Sequence, residues 1–122
     1  MGLNYFFDSY AIVEIVSGNS NYAKYINEPA TITIFNLAEI YWAAIKNLED
    51  DEADQIFEKY SLCVVEISDD VLKEAIKFRK KYKSKNLSYA DCIGYTYALK
   101  NNLIFLTGDK EFKDLKNVEF VK

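Results

Sequence analysis

The stretch SYADCIGYTYALKNNLIFLTGD, from Ser88 to Asp109, decides the fold. It opens on Ser88 with a carboxylate three residues later, Asp91, which is the spacing of a helix capping box. The residues that follow are mostly apolar and continue at helix length to about Asn101. Leu103–Leu106 is then a wholly apolar run of strand length. Thr107-Gly108-Asp109 stops it with turn chemistry. Apolar strands fed by helices are the unit of a parallel sheet covered on both faces.

The alternation extends outward along the chain. Leu3–Phe7 is a strand-length apolar run that stops at Asp8. Ser9–Val16 carries Tyr10, Ile12, Val13 and Val16 at helical spacing, and Ser17-Gly18-Asn19-Ser20 breaks it. Asn21–Asn27 reads as a short helix ended by Pro29. Thr31–Phe35 is β-branched and aromatic, hence a strand. Asn36 to about Leu48 is helical, with Leu37, Tyr41, Ala44, Ile45 and Leu48 on one stripe. Glu49-Asp50-Asp51-Glu52 suits the first turn of a helix to about Tyr60. Leu62–Ile67 reads as a strand, Asp69 to about Tyr82 as a helix capped by Ser68, and Val118–Val121 as a last strand. The expected class is α/β: a three-layer sandwich, one domain over residues 1–122, with a mostly parallel sheet of about five strands and helices on both faces.

Composition narrows the chemistry. The chain has 122 residues, 28% of them charged, and a net charge of −4. A domain of this size buries enough surface to fold without disulfides or a structural metal. It contains no histidine, which removes histidine acid–base and Ser-His-Asp chemistry and every zinc site that needs an imidazole. Cys63 and Cys92 sit in apolar runs and read as buried free thiols. No run approaches the length of a membrane span, and the start lacks a basic, leader-like segment, so a cytoplasmic protein is expected.

In such a sheet all strands end on one edge, and each crossover helix begins on that same edge, where ligands bind. Asp8 follows the first strand, Glu39 lies near the start of the next long helix, Asp91 opens the helix of residues 88–101, and Asp109 follows the fourth strand. Taken singly, Asn36-x-x-Glu39 and Ser88-x-x-Asp91 also read as plain capping boxes. Both helices are apolar almost all round, however, and buried carboxylates must be paired or bind a cation. The only arginine, Arg79, lies in a different helix. Four converging carboxylates would raise one another's pKa, and a divalent cation resolves this. An oxygen-only donor set calls for Mg²⁺ or Mn²⁺.

Asp8 after an apolar strand, Asn36-x-x-Glu39, Ser88-x-x-Asp91 and Leu106-Thr107-Gly108-Asp109-Lys110-Glu111-Phe112 together resemble the acidic motifs of the PIN-domain nucleases. The size and spacing are similar to those of the VapC-type toxins. The resemblance covers essentially the whole chain, and its last motif is the most specific. It implies a metal-dependent endoribonuclease, with Asp8, Glu39, Asp91 and Asp109 holding the metal and Ser9, Asn36, Ser88 and Thr107 as their polar neighbours. It also implies an RNA substrate, homodimerisation and inhibition by a small antitoxin. A non-catalytic PIN-like dimerisation or RNA-binding module is the alternative.

Lys77, Arg79, Lys80, Lys81, Lys83 and Lys85 form a basic run. It reads either as a solvated helix end favoured by the dipole or as a phosphate-contacting patch on an otherwise acidic protein. Trp42 is expected in the core, and Gly94 is expected to permit close helix packing. Tyr10, Tyr22, Tyr25 and Tyr41 on the early helices are candidates for a dimer face. A receiver domain would want two acids after the first strand, and a haloacid-dehalogenase-type phosphatase a second aspartate at position 10, where this chain has Tyr10.

Overall fold

The computed structural model describes residues 3–122. Met1 and Gly2, on which the leader reading partly rests, lie outside the described residues. Three strands form the sheet: β1 (Tyr5–Phe7), β2 (Ile104–Thr107) and β3 (Val118–Phe120). They are parallel, in the order β1-β2-β3. Phe6 pairs with Phe105, and Leu106 with Glu119. The helices are α1 (Ser9–Val16), α2 (Ile34–Asn47), α3 (Asp50–Ser61), α4 (Asp69–Lys81) and α5 (Tyr89–Lys100), with 3₁₀ turns at Ser20–Tyr25 and Lys110–Phe112.

The two-residue period of the strands divides the core. Tyr5, Phe7 and Leu106 point to one face and pack with Ile12, Tyr22, Leu37, Ile40 and Tyr60. Phe6 and Phe105 point to the other, against Ala75, Cys92, Ile93, Tyr95 and Phe112. The sheet is thus sandwiched, with α1, α2 and α3 on one side and α4 and α5 on the other. Gly94 lets α5 lie on the sheet: a Cβ there would come within 2.6 Å of Phe6 Cε1. The glycine therefore serves helix-on-strand packing.

The expected count of about five strands is corrected to three. Of Thr31–Phe35 and Leu62–Ile67 only a single parallel bridge survives, Ile32 with Val64. Phe7 N–H donates to the Thr31 carbonyl at 3.0 Å, and Val65 N–H to that of Ile32 at 2.9 Å. The two segments therefore lie where the strands were expected, beyond β1, but hold no ladder. The reason lies in Thr33. Its amide donates to Asn36 Oδ1 at 2.9 Å, and its hydroxyl oxygen accepts from the Asn36 amide at 3.3 Å. Thr33 is the N-cap of α2, so a reciprocal cap consumes the groups that would have extended the strand. The helix starts two residues earlier than expected.

Two further expectations are corrected. Trp42 is 60% exposed, because α2 buries only the Leu37, Ile40 and Ala44 side of its circumference. Tyr22 and Tyr25 are core residues, so they present no free face. The exposed apolar row on α2 is Ile34, Phe35, Trp42 and Ile45. Among the described residues, no helix is long and apolar enough to cross a membrane.

Candidate active site

Asp8 occupies the point where β1 turns into α1. Its amide donates to the Leu106 carbonyl at 3.0 Å, which ties it to the end of β2. Its side chain is buried, with only 2% exposed. Oδ1 accepts from the Ser9 amide at 2.8 Å, and Oδ2 accepts from the Thr107 hydroxyl at 2.6 Å. Thr107 in turn accepts from the Asp109 amide at 3.0 Å. One buried hydroxyl therefore fixes both the carboxylate after β1 and the turn that carries Asp109. A Cβ on Gly108 would stand 2.5 Å from the Val121 carbonyl oxygen and collide with the Tyr10 ring, so this tight turn demands glycine.

Glu39 is held from the opposite wall. Ser9 Oγ donates to Glu39 Oε1 at 2.6 Å and accepts from Asn36 Nδ2 at 3.0 Å. Asn36 Oδ1 is itself occupied by the Thr33 amide and hydroxyl. The relay Thr33–Asn36–Ser9–Glu39 is complete, and no buried side-chain polar atom among the described residues lacks a partner. Asn36 was expected to cap a helix over Glu39. It is instead the responding residue of the Thr33 cap, and its remaining amide orients Ser9. Asp91 behaves as its spacing predicts: Oδ2 accepts from the Ser88 amide at 2.9 Å, and the Ser88 hydroxyl accepts from the Asp91 amide at 3.0 Å.

The four acids interact through their charge. Burial first, then Asp91 and Glu39, push Asp8 well above the usual carboxylate range, against the opposing hydrogen bonds from Thr107 and Ser9. Burial, Glu39 and Asp109 push Asp91 up to about 6, against the Ser88 hydrogen bonds. The charges of Glu39, Asp91 and Asp109 thus bear on the two raised carboxyls, Asp8 and Asp91. None of them is in an ion pair among the described residues, where the only such pair is Lys100–Glu74.

Among the described residues, no three Asp, Glu, Cys or His side chains stand close enough together to enclose an ion. The donor chemistry still suits a hard divalent cation. Every candidate donor is an oxygen, and the hydrogen bonds on Asp8 leave lone pairs on both its oxygens. The nearby thiol does not compete: Cys92 is buried in the core and burial pushes it up to about 11.

The basic run lies at the same edge, because α4 and α5 pack antiparallel and residues 82–88 join the end of one to the start of the other. Lys77, Lys80, Lys81 and Lys83 are exposed, and Lys85 is half-buried. Arg79 is not a free arm. Its Nε donates to the Leu87 carbonyl at 3.1 Å, and its guanidinium lies 4.3 Å from the Tyr89 ring centroid. The only local trace of this packing is that an arginine and a tyrosine flank one connector.

Comparison with known proteins places this arrangement in a family context. The family model described as "PIN domain" matches residues 5–118. No curated protein sequence matches the chain. Among solved structures, a toxin–antitoxin complex from Klebsiella pneumoniae matches with a TM-score of 0.77 at 20% identity, over 95% of this chain and 96% of that one. VapC20 of Mycobacterium tuberculosis, described as a sarcin-ricin loop cleaving toxin, matches at 0.76 and 14% identity, over 98% and 100%. VapBC2 from Rickettsia felis, bound to a DNA fragment from its promoter, matches at 0.73 and 15%, over 98% and 100%. At these identities the likeness is one of fold.

Proposed function

The chain belongs to the PIN-domain family, and from that premise we propose that it is a metal-dependent endoribonuclease acting as the toxin of a type II toxin–antitoxin pair. One observation carries the reading. Asp8 and Asp91, from separate elements and in no ion pair among the described residues, have carboxyls raised by burial and by the charges of neighbouring acids, at the edge where a parallel sheet binds its ligands. Asp8, Glu39, Asp91 and Asp109 would hold one or two divalent cations, Mg²⁺ or Mn²⁺. When bound, such a cation supplies Lewis acidity toward water and phosphate oxygens. Thr107, Ser9, Asn36 and Ser88 keep the carboxylates in fixed orientations, so little reorganisation is needed when charge develops. Lys77, Lys80, Lys81, Lys83 and Lys85 supply the positive potential that an acidic protein needs to approach RNA. Hydrolysis by water would leave a 5′-phosphate and a 3′-hydroxyl, with no cyclic intermediate.

The test is cleavage of single-stranded RNA with Mg²⁺ or Mn²⁺, with and without EDTA. Asp8→Asn keeps the volume and the Ser9 cap but removes charge, so activity should vanish while the fold persists. Cleavage in EDTA, or by Asp8→Asn, would overturn the mechanism. The alternative is a non-catalytic PIN-like dimerisation or RNA-binding module. RNA binding without cleavage under any divalent ion would support it.

The partners proposed are RNA, a small antitoxin and a second copy of the chain, in the cytoplasm. The exposed row Ile34, Phe35, Trp42 and Ile45 supports a protein partner. Light scattering of the isolated protein should give twice the 14.1 kDa chain mass; a monomer at micromolar concentration would contradict the homodimer.

A further inference from the structure

Tyr89, the first residue of α5, is 56% exposed although it stands two residues from Asp91. One face of its ring is covered by the Arg79 guanidinium, 4.3 Å from the centroid. Arg79 reaches this position from the last turn of α4, and its Nε–H donates to the Leu87 carbonyl. The guanidinium is therefore fixed at two points, by a backbone oxygen and by an aromatic plane. It is the only arginine among fifteen cations. No ion pair engages it among the described residues, so the N–H donors of its two Nη atoms are available. Between the two residues runs the connector that delivers Ser88, whose amide and hydroxyl hold Asp91. A flat aromatic surface and a fork of donors are thus built rigidly beside Asp91.

Such a pair suits a nucleotide better than a lysine-rich surface does. An exposed ring backed by a guanidinium stacks any nucleobase on its open side. A planar fork binds phosphate oxygens bidentately, whereas the neighbouring Lys80, Lys81 and Lys83 act only as point charges. We propose that Tyr89 and Arg79 form a subsite for one unpaired nucleotide of the RNA next to the bond that is cut, the base stacking on Tyr89 and its phosphate held by Arg79. This rests on the nuclease reading above. It adds that the base at this position is unstacked, since a base inside a duplex has both faces covered by its neighbours.

The experiment uses the full chain carrying Asp8→Asn, so that the RNA survives, and a fluorescent single-stranded oligoribonucleotide about ten nucleotides long, within the usual range for single-strand sites. Tyr89→Leu should weaken binding roughly ten-fold or more, with the salt dependence unchanged, because stacking releases no counterion. Tyr89→Trp should retain parental affinity. Arg79→Gln should weaken binding and reduce the salt slope by about one. 2-Aminopurine walked along the strand should be quenched at one position in the parent and in Tyr89→Trp, but at none in Tyr89→Leu. Parental affinity in Tyr89→Leu, or quenching that survives it, overturns the subsite and leaves the nuclease reading intact. A parent that binds no RNA overturns both.

Discussion

At the scale of single residues, the site stores charge that it cannot disperse alone. Asp91, at about 6, binds its proton more tightly in the folded chain than an unfolded aspartate does, near about 3.9. The native state therefore holds the extra proton between those values, and stability contributed by this group falls as pH rises through the window from about 4 to 6. Asp8 is raised by burial and by the charges of Asp91 and Glu39, and acts with the same sign. In EDTA, denaturant unfolding should show wild type losing stability relative to Asp91→Asn as pH rises from 4.5 to 7. Asparagine still accepts the Ser88 amide and cannot titrate, so a difference that stays flat would remove the charge argument. Added divalent cation should abolish the loss by compensating the carboxylates.

At the scale of elements, α5 carries the narrowest tolerance. Gly94 faces Phe6 Cε1 and Cζ, at 2.6 and 2.9 Å from where a Cβ would stand. Phe6 cannot yield easily: it is fully buried and stacked on Phe105 at a centroid distance of 5.7 Å. Gly94→Ala would gain about 1 kcal/mol in helix propensity and lose about 1–3 kcal/mol to overpacking. Net destabilisation is expected, read as a lower denaturant midpoint; a raised midpoint would show that the sheet and α5 can separate freely. Because α5 carries Asp91 and Tyr89, the same substitution should impair RNA cleavage by shifting the helix start.

At the scale of the molecule, the proposed cation site predicts that folding and cation binding are coupled, since Asp8, Glu39, Asp91 and Asp109 come from elements far apart in sequence. At a cation concentration a hundred times its Kd the linkage is about 2.7 kcal/mol, or several degrees in Tm for a chain of this size. Thermal melts with and without millimolar Mn²⁺ measure it. An unchanged Tm would remove the metal from the proposal and strengthen the non-catalytic reading.

The sequence by itself determined the layered α/β architecture, because continuous apolar runs of strand length and the helical spacing of apolar residues are local properties that burial then enforces. It also determined the Ser88–Asp91 cap and the Thr107-Gly108-Asp109 turn, whose partners lie within three residues. Locality explains the misreadings too. Thr31–Phe35 has strand composition, but Thr33 and Asn36 close a cap on each other, and that reciprocal bond outweighs β propensity. Trp42 looked like core because its neighbours are apolar, yet which side of α2 meets the sheet depends on the packing of Leu37 and Ile40. Only the tertiary structure decided that Ser9 bridges Asn36 to Glu39, that Thr107 joins Asp8 to the Asp109 turn, and that Arg79 lies on Tyr89. The Ser9 and Thr107 bridges join groups 27 to 99 residues apart, and the Arg79 packing depends on how two helices dock. Hydrogen bonds and ring contacts act over a few ångströms of space, and sequence spacing carries no trace of them until the sheet and helices have brought the chain together.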